Sequence, residues 1–239
     1  KKIAFMGKEY PVEETTPDSF AGIDIALFAG GAASKEFAPH AVKAGAIVVD
    51  NSSAFRMDPE VPLVVPEVNP EAIKNHKGII ANPNCSTIIM VMGLKPLYDL
   101  AKIRRIVVST YQAVSGAGKE GMAELEMQVA ALSEGKEAEA NILPVSSLPK
   151  HYPIAFNLIP QIDVFMDNLY TKEEMKMIDE TKKIMGDDTL RITATTVRVP
   201  VYRSHAESVN VEFESAVSLE DARKALAAFP GVILRDNPA

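Results

Sequence analysis

The sequence predicts an α/β protein in two parts, a parallel-sheet half up to about Ala81 and an α+β half with longer strands after it. Three observations predict this. Short, almost wholly apolar runs (IDIALFAGG, AIVVD, GIIANP) flank the helix-spaced segment SKEFAPHAVKAG, the pattern of a parallel sheet covered on both faces. Longer runs, RIVVSTYQAV and LRITATTVRVPVYRSHAESVNVEFE, come later and supply longer strands. Helix-start signals punctuate that second half: Thr171 and Glu174 match a T-x-x-E capping box, and Ser218 to Asp221 opens the last helix.

Element by element, KKIAFMGKEYPVEET alternates around Gly7-Lys8 and reads as a small hairpin. The chain begins on Lys1-Lys2 without Met, inside a strand pattern, the start expected of a trimmed chain. Gly30-Gly31 closes the first apolar strand, Asp50 the second and Pro83 the third. From Ser86, STIIMVMGLKPLY is apolar all round and reads as a buried helix, bent or ended near Pro96. After the strand over Arg105 to Val114, Gly116 and Gly118 form a tight turn, and KEGMAELEMQVAALSEG has helical spacing. A looser, proline-punctuated region, LPVSSLPKHYPIAFNLIPQID, precedes the capped helix TKEEMKMIDETKKIM. There is no internal repeat, no G-x-G-x-x-G and no G-x-x-x-x-G-K-[ST], so the first half alone is compatible with a nucleotide or with none.

At 239 residues the chain can bury a substantial core, and 47% hydrophobic with 24% charged residues is ordinary for a globular protein. A formal charge of −7, from 25 basic and 32 acidic residues, argues against a nucleic-acid partner. No run approaches the roughly 20 apolar residues of a membrane span, and no basic-then-apolar signal opens the chain. One cysteine rules out an internal disulfide framework, which fits a cytoplasmic protein.

That cysteine, Cys85, follows Asn-Pro-Asn at the head of the apolar helix. Free backbone N–H groups and the positive end of the helix dipole favour a thiolate there, so a lowered thiol pKa is expected. Asn84 can cap the helix and place an amide donor near an oxyanion formed at the sulfur. Small buried filler is the competing reading, because free cysteine is often buried. A nucleophilic cysteine calls for a histidine. His40 and His76 read as surface residues, and His151 is ambiguous. His205 draws attention because Arg198 stands before it with Pro200 between, and a bend there could bring both to one site; Arg203 is the competing arginine. Glu173 and Lys176, spaced i, i+3, read as a solvated ion pair. Arg56 lies in a polar loop beyond a strand end, where ligands of open α/β sheets bind, and a guanidinium there suits a phosphate or carboxylate.

Together the segments DNSSAFRMDPEVPLVVPEVN, PNCST, STYQAVSGAG, HYPIAFNLIPQIDVF, YTKEEMKM and VRVPVYRSHAES resemble the aspartate-semialdehyde dehydrogenases of bacteria, in that family's order and over essentially the whole chain. The resemblance implies a partial Rossmann-like parallel-sheet domain, residues 1–84, as the remnant of a dinucleotide-binding domain. Residues 85–239 would be an α+β catalytic and dimerisation domain of the glyceraldehyde-phosphate-dehydrogenase type. It implies Cys85 as nucleophile, His205 as acid–base partner, Arg198 as the substrate-carboxylate clamp, and Gln112 and Glu173 as orienting groups. Arg56, Asn84 and Lys176 would hold inorganic phosphate or the acyl phosphate. Ser115 and Gly116 would lie beside the nicotinamide, with Gly30 and Gly31 lining the same groove, and no metal is implied. The implied cofactor is NADP, the substrates are aspartate semialdehyde and aspartyl phosphate, and the implied assembly is a homodimer. The pathway is lysine, threonine and methionine biosynthesis.

The resemblance also implies that the chain lacks the family's N-terminal Gly-rich nucleotide-binding unit and its C-terminal returning segment. The dinucleotide site would be half built, with a sheet edge and an apolar face exposed. Three readings follow: the enzyme with both ends outside this sequence; a fragment whose chemistry stops at Cys85 acylation; or a non-catalytic dimerisation or interaction module with Cys85 as core filler.

Overall fold

A computed structural model describes residues 1–237. The chain divides into two compact units: residues Lys1–Val64 with Glu71–Asn82, and Val65–Pro70 with the chain from Pro83 onward.

The first unit opens with the expected hairpin, β1 (Lys2–Phe5) antiparallel to β2 (Lys8–Pro11). Its turn is Met6-Gly7 rather than Gly7-Lys8, and both turn residues have positive φ, 48° and 76°, as a two-residue hairpin loop requires. Three parallel strands follow, β3 (Ile25–Phe28), β4 (Ile47–Asp50) and β5 (Ile79–Ala81), in the order β3-β4-β5. Helix α1 (Gly31–Lys43) links the first two. Its small residues Ala38 and Ala41 let it sit close to the sheet, and Phe20, Ala26, Ala46 and Val48 complete that core. The sheet is not covered on both faces, contrary to the apolar run's implication. Leu27 is 81% and Ile25 63% exposed on the side away from α1, because alternate residues of a strand point to opposite faces and no described element packs on the second.

In the second unit, α2 (Cys85–Tyr98) leads into the ten-residue strand β6 (Ile103–Gln112). Then come α3 (Gly118–Ser133), α4 (Lys172–Met185), β7 (Arg191–Arg198), β8 (Ala206–Phe213) and α5 (Leu219–Ala228). Pro96 does not cut α2 short; it falls in the last turn. The long C-terminal run makes two strands, and they do not pair with each other. Strand β6 lies between them, parallel to β7 and antiparallel to β8. Met90 and Leu94 of α2 and Met177 of α4 meet Ile103, Ile106, Val108 and Ala194 of the sheet in one core, each such side chain contributing about 1.5–3 kcal/mol. The capping box is present, with Glu174 Nα and Oε2 bonded to the Thr171 side chain and backbone; the other Glu174 oxygen accepts from Thr196 N–H of β7.

The proline-punctuated region is tied down by α3. Glu124 accepts from the N–H groups of Asn141 and Ile142, and Gln128 from those of Ile154 and Ala155. Past the end of β6 the chain pairs with the β7–β8 connection: Val114 and Ser115 donate to the carbonyls of Val201 and Tyr202. That pairing brings the end of β7 and the start of β8 to the same end of β6.

Candidate active site

The site is built where α2 begins and β6 ends. Asn84 is the N-cap of α2; its Oδ1 accepts from Ser86 and Thr87 N–H at 3.0 and 3.2 Å, satisfying two donors the helix cannot satisfy itself. This fixes Cys85 as the first helical residue. Cys85 Sγ lies 3.3 Å from His205 Nε2. His205 Nδ1 accepts the Ala113 N–H at 3.0 Å, so the proton of the neutral ring sits on Nε2, the atom that faces the sulfur.

Of the two arginines, Arg198 is the one brought here. It is 4% exposed, its Nη1 donates to Ala113 O at 2.7 Å, and its charge acts on both Cys85 and His205. Arg203 is exposed. Arg198 ends β7 opposite Gln112, and His205 directly precedes Ala206, which pairs with Tyr111. The bend after Arg198 thus sets the two on either side of the same strand end. Gly116 makes room for the guanidinium: a Cβ there would stand 2.6 Å from Arg198 Nη1. Ser115 precedes it in the same turn, its N–H bonded to Tyr202 O.

Glu173 is the hub beneath. Its Oε1 accepts from Asn84 Nδ2 (2.8 Å) and Gln112 Nε2 (3.1 Å), and its Oε2 from Lys176 Nζ (3.2 Å). The pair Glu173–Lys176 is therefore not the solvated ion pair expected from spacing alone. Glu173 is 5% exposed, and Lys176 bonds a second carboxylate, Asp163, at 3.2 Å. Burial pushes the Glu173 carboxyl up, but Lys176, Asn84 and Gln112 outweigh it and hold the group below its ordinary range. Burial likewise works against the Lys176 charge, and the two carboxylates overcome it.

The thiol is a correction. Desolvation pushes Cys85 above its ordinary range and the Glu173 charge adds to that; Ser86 N–H at the helix start and Arg198 act the other way and are weaker. Burial and Arg198 lower His205, with Glu173 opposing them. Both shifts favour the uncharged forms, and at Cys85 the helix N-terminus does not offset the desolvation.

Of the remaining histidines, His40 lies in the last turn of α1 and His76 accepts Gly78 N–H, both in the first unit, and the His151 Nε2 is shielded without a partner among the described residues. Arg56, Gly30 and Gly31 belong to the first unit. Arg56 is not free in its loop; it is 8% exposed, with Nε on Asn82 O and Nη2 on Asn51 O, so the guanidinium is fixed by the ends of two strands. Gly30 caps α1 without a side chain, and the first turn carries no acid. That leaves the first-turn N–H groups of α1 without a side-chain cap. Three members of the site escaped the sequence reading: Asp163, Glu180 and the Ala113 N–H. Glu180 had a signal, since it stands seven residues, two helical turns, beyond Glu173.

A family model for the semialdehyde dehydrogenase NAD binding domain matches residues 1–76, and one for the semialdehyde dehydrogenase dimerisation domain matches residues 94–239. The fold and its cysteine-bearing second unit are thus those of a semialdehyde dehydrogenase, a two-domain class of oxidoreductase. The aspartate-semialdehyde dehydrogenase of Aquifex aeolicus (strain VF5) is 56% identical over all of this chain, which spans 69% of that relative's length. A crystal structure of aspartate semialdehyde dehydrogenase II from Vibrio cholerae, complexed with ASA, superposes with a TM-score of 0.89 at 49% identity, over 97% of this chain and 68% of that one. That of aspartate semialdehyde dehydrogenase with NADP from Candida albicans gives 0.64 at 28% identity, over 86% of this chain and 55% of that one. The chain belongs to the aspartate-semialdehyde dehydrogenase family.

Proposed function

We propose that the chain carries the cysteine chemistry of a phosphorylating, NADP-dependent aspartate-semialdehyde dehydrogenase, interconverting aspartate semialdehyde and aspartyl phosphate through a Cys85 thioester. It would act in the cytoplasm as a homodimer, in lysine, threonine and methionine biosynthesis. The observation that carries the reading is the 3.3 Å approach of Cys85 Sγ to His205 Nε2, with Arg198 buried beside the pair.

In the oxidative direction the Cys85 sulfur, as thiolate, adds to the aldehyde carbon. The Nε2–H of His205 donates to the oxygen on which charge develops. Arg198 offers a planar guanidinium to the substrate carboxylate, the geometry a carboxylate matches. Gln112 and Glu173 orient the substrate, and the Gln112–Glu173 hydrogen bond together with the bond from Asn84 to Glu173 keeps them in place. Phosphate handling is assigned to Asn84 and Lys176 and, in the first unit, to Arg56. When bound, the nicotinamide cofactor supplies the hydride acceptor; Gly30 and Gly31 at the α1 N-terminus, with Ser115 and Gly116, would hold it. Phosphate attack on the Cys85 thioester then releases aspartyl phosphate.

The test avoids the cofactor. The protein is mixed with fresh aspartyl phosphate and its intact mass is measured. One hydroxylamine-labile aspartyl adduct on the wild type, absent from Cys85→Ala, is expected. An adduct forming equally on Cys85→Ala would overturn the reading.

A further inference from the structure

We infer that Glu180 is a positioning residue for Cys85, acting as a capping partner supplied to α2 from another helix. The inference rests on the reading of Cys85 as nucleophile.

A helix start leaves N–H groups that need outside acceptors, and the N-cap residue's own N–H is among them when the segment is buried. In a capping box the residue at the third helical position reaches back to that N–H with a long carboxylate or carboxamide. Thr171 and Glu174 do this in α4. In α2 the third helical residue is Thr87, whose short side chain cannot reach; its Oγ1 is buried without a partner among the described residues. The missing acceptor comes from α4: Glu180 Oε2 takes the Asn84 N–H at 2.6 Å, between residues 96 apart in sequence. Glu180 is 1% exposed, so this bond is made away from water, where losing it is costly.

Asn84 is consequently held through its side chain, its N–H and its carbonyl, which takes the Ile88 N–H. Its N–H goes to Glu180, its Nδ2 to Glu173, and its Oδ1 takes the two N–H groups of the first turn. The next residue is Cys85, whose Sγ must stay within reach of His205. Glu173 holds the Asn84 side chain and Glu180 its N–H; the second bond ties α4 directly to the backbone that leads into Cys85. The action of Glu180 on the sulfur runs through Asn84, the residue it bonds.

The experiment follows iodoacetamide alkylation of the single cysteine by intact mass, on the full chain, in wild type, Glu180→Gln, Glu180→Asp and Glu180→Ala, each with and without His205→Ala. Glutamine keeps the reach and an acceptor oxygen but loses the charge; aspartate keeps the charge but loses the reach. Loss of the bond is expected to slow alkylation about tenfold in Glu180→Asp and Glu180→Ala, with Glu180→Gln within about twofold of wild type. The slowing should vanish in the His205→Ala background, because a displaced sulfur matters only if there is an imidazole to miss. Should Glu180→Ala not fold, the aspartate and glutamine variants carry the comparison. The inference falls if Glu180→Asp alkylates like wild type, if Glu180→Gln is as slow as Glu180→Asp, or if the slowing persists undiminished without His205. If His205→Ala alone changes nothing, the nucleophile reading itself fails, a different outcome from the failure of Glu180.

Discussion

Replacing Glu207 with glutamine should stabilise the protein above neutrality and leave it nearly unchanged in mild acid. Glu207 lies on β8 directly opposite Thr110 of β6, on the face that carries Val108 and Ile106 into the core. Both its carboxylate oxygens are shielded and neither has a hydrogen-bond partner among the described residues. Burial pushes the carboxyl from 4.5 to about 8. A raised carboxyl keeps its proton in the fold where the unfolded chain has already lost it. Stability is then full below the unfolded value and lost as pH rises through the folded one. The span from 4.5 to about 8, at about 1.4 kcal/mol per unit, bounds the loss at about 5 kcal/mol. Partial exposure of the side chain reduces the working figure to about half. For a chain of this length that is about 5 to 10 °C in Tm. Thermal unfolding of wild type and Glu207→Gln at about pH 5 and about pH 8.5 gives the answer as a difference of differences, which cancels any constant effect of the amide. A Tm gap of the same size at both values would refute the argument, as would no gain for Glu207→Gln at the higher one.

Two glycine substitutions should separate function from folding. Gly116→Ala pushes a methyl against the far end of Arg198, which can move, so Tm should hold while KM for aspartate semialdehyde rises about ten- to a hundredfold, as for a lost charge-assisted contact. Gly121→Ala instead meets the backbone Val114 O at 2.8 Å and the Ala117 methyl at 2.9 Å, neither of which can swing away, and should cost about 1–3 kcal/mol in stability with KM unchanged. The alkylation rate of Cys85 should keep climbing past the ordinary thiol value of 9.0, since the thiolate appears only above its raised pKa. Glu173→Gln should move that rise to lower pH by removing the nearby negative charge. A rate that levels off below about pH 8 would contradict the upward shift.

Much of the site is local and was legible for that reason. Asn-Pro-Asn-Cys-Ser-Thr states a helix start with a capping side chain, and T-x-x-E states another; both are read within four residues. The hairpin's glycine and the apolar runs placed the strands. What the sequence could not convey depends on partners far along the chain. Nothing in LRITATTVRVPVYRSHAESVNVEFE says that its halves lie on opposite sides of β6, although Pro200 did mark where they part. The direction of the Cys85 shift needed the groups packed around an exposed residue, Glu173 among them, and a helix start supplies none of these. The apolar run of β3 is equally silent on whether a second layer covers it; Leu27 and Ile25 stand bare here.

The bonds that define the site join residues 89 (Asn84–Glu173), 96 (Asn84–Glu180) and 120 (Cys85–His205) positions apart. Order of emergence from the ribosome then matters. At roughly 5–20 residues per second, Cys85 is made many seconds before His205, and for most of that interval α2 has its cysteine but neither the imidazole nor either anchoring carboxylate. A nascent chain with two thiols could cross-link in such a window. Cys85 is the one cysteine in these 239 residues, so the sulfur waiting for its partner has no second thiol here to meet first.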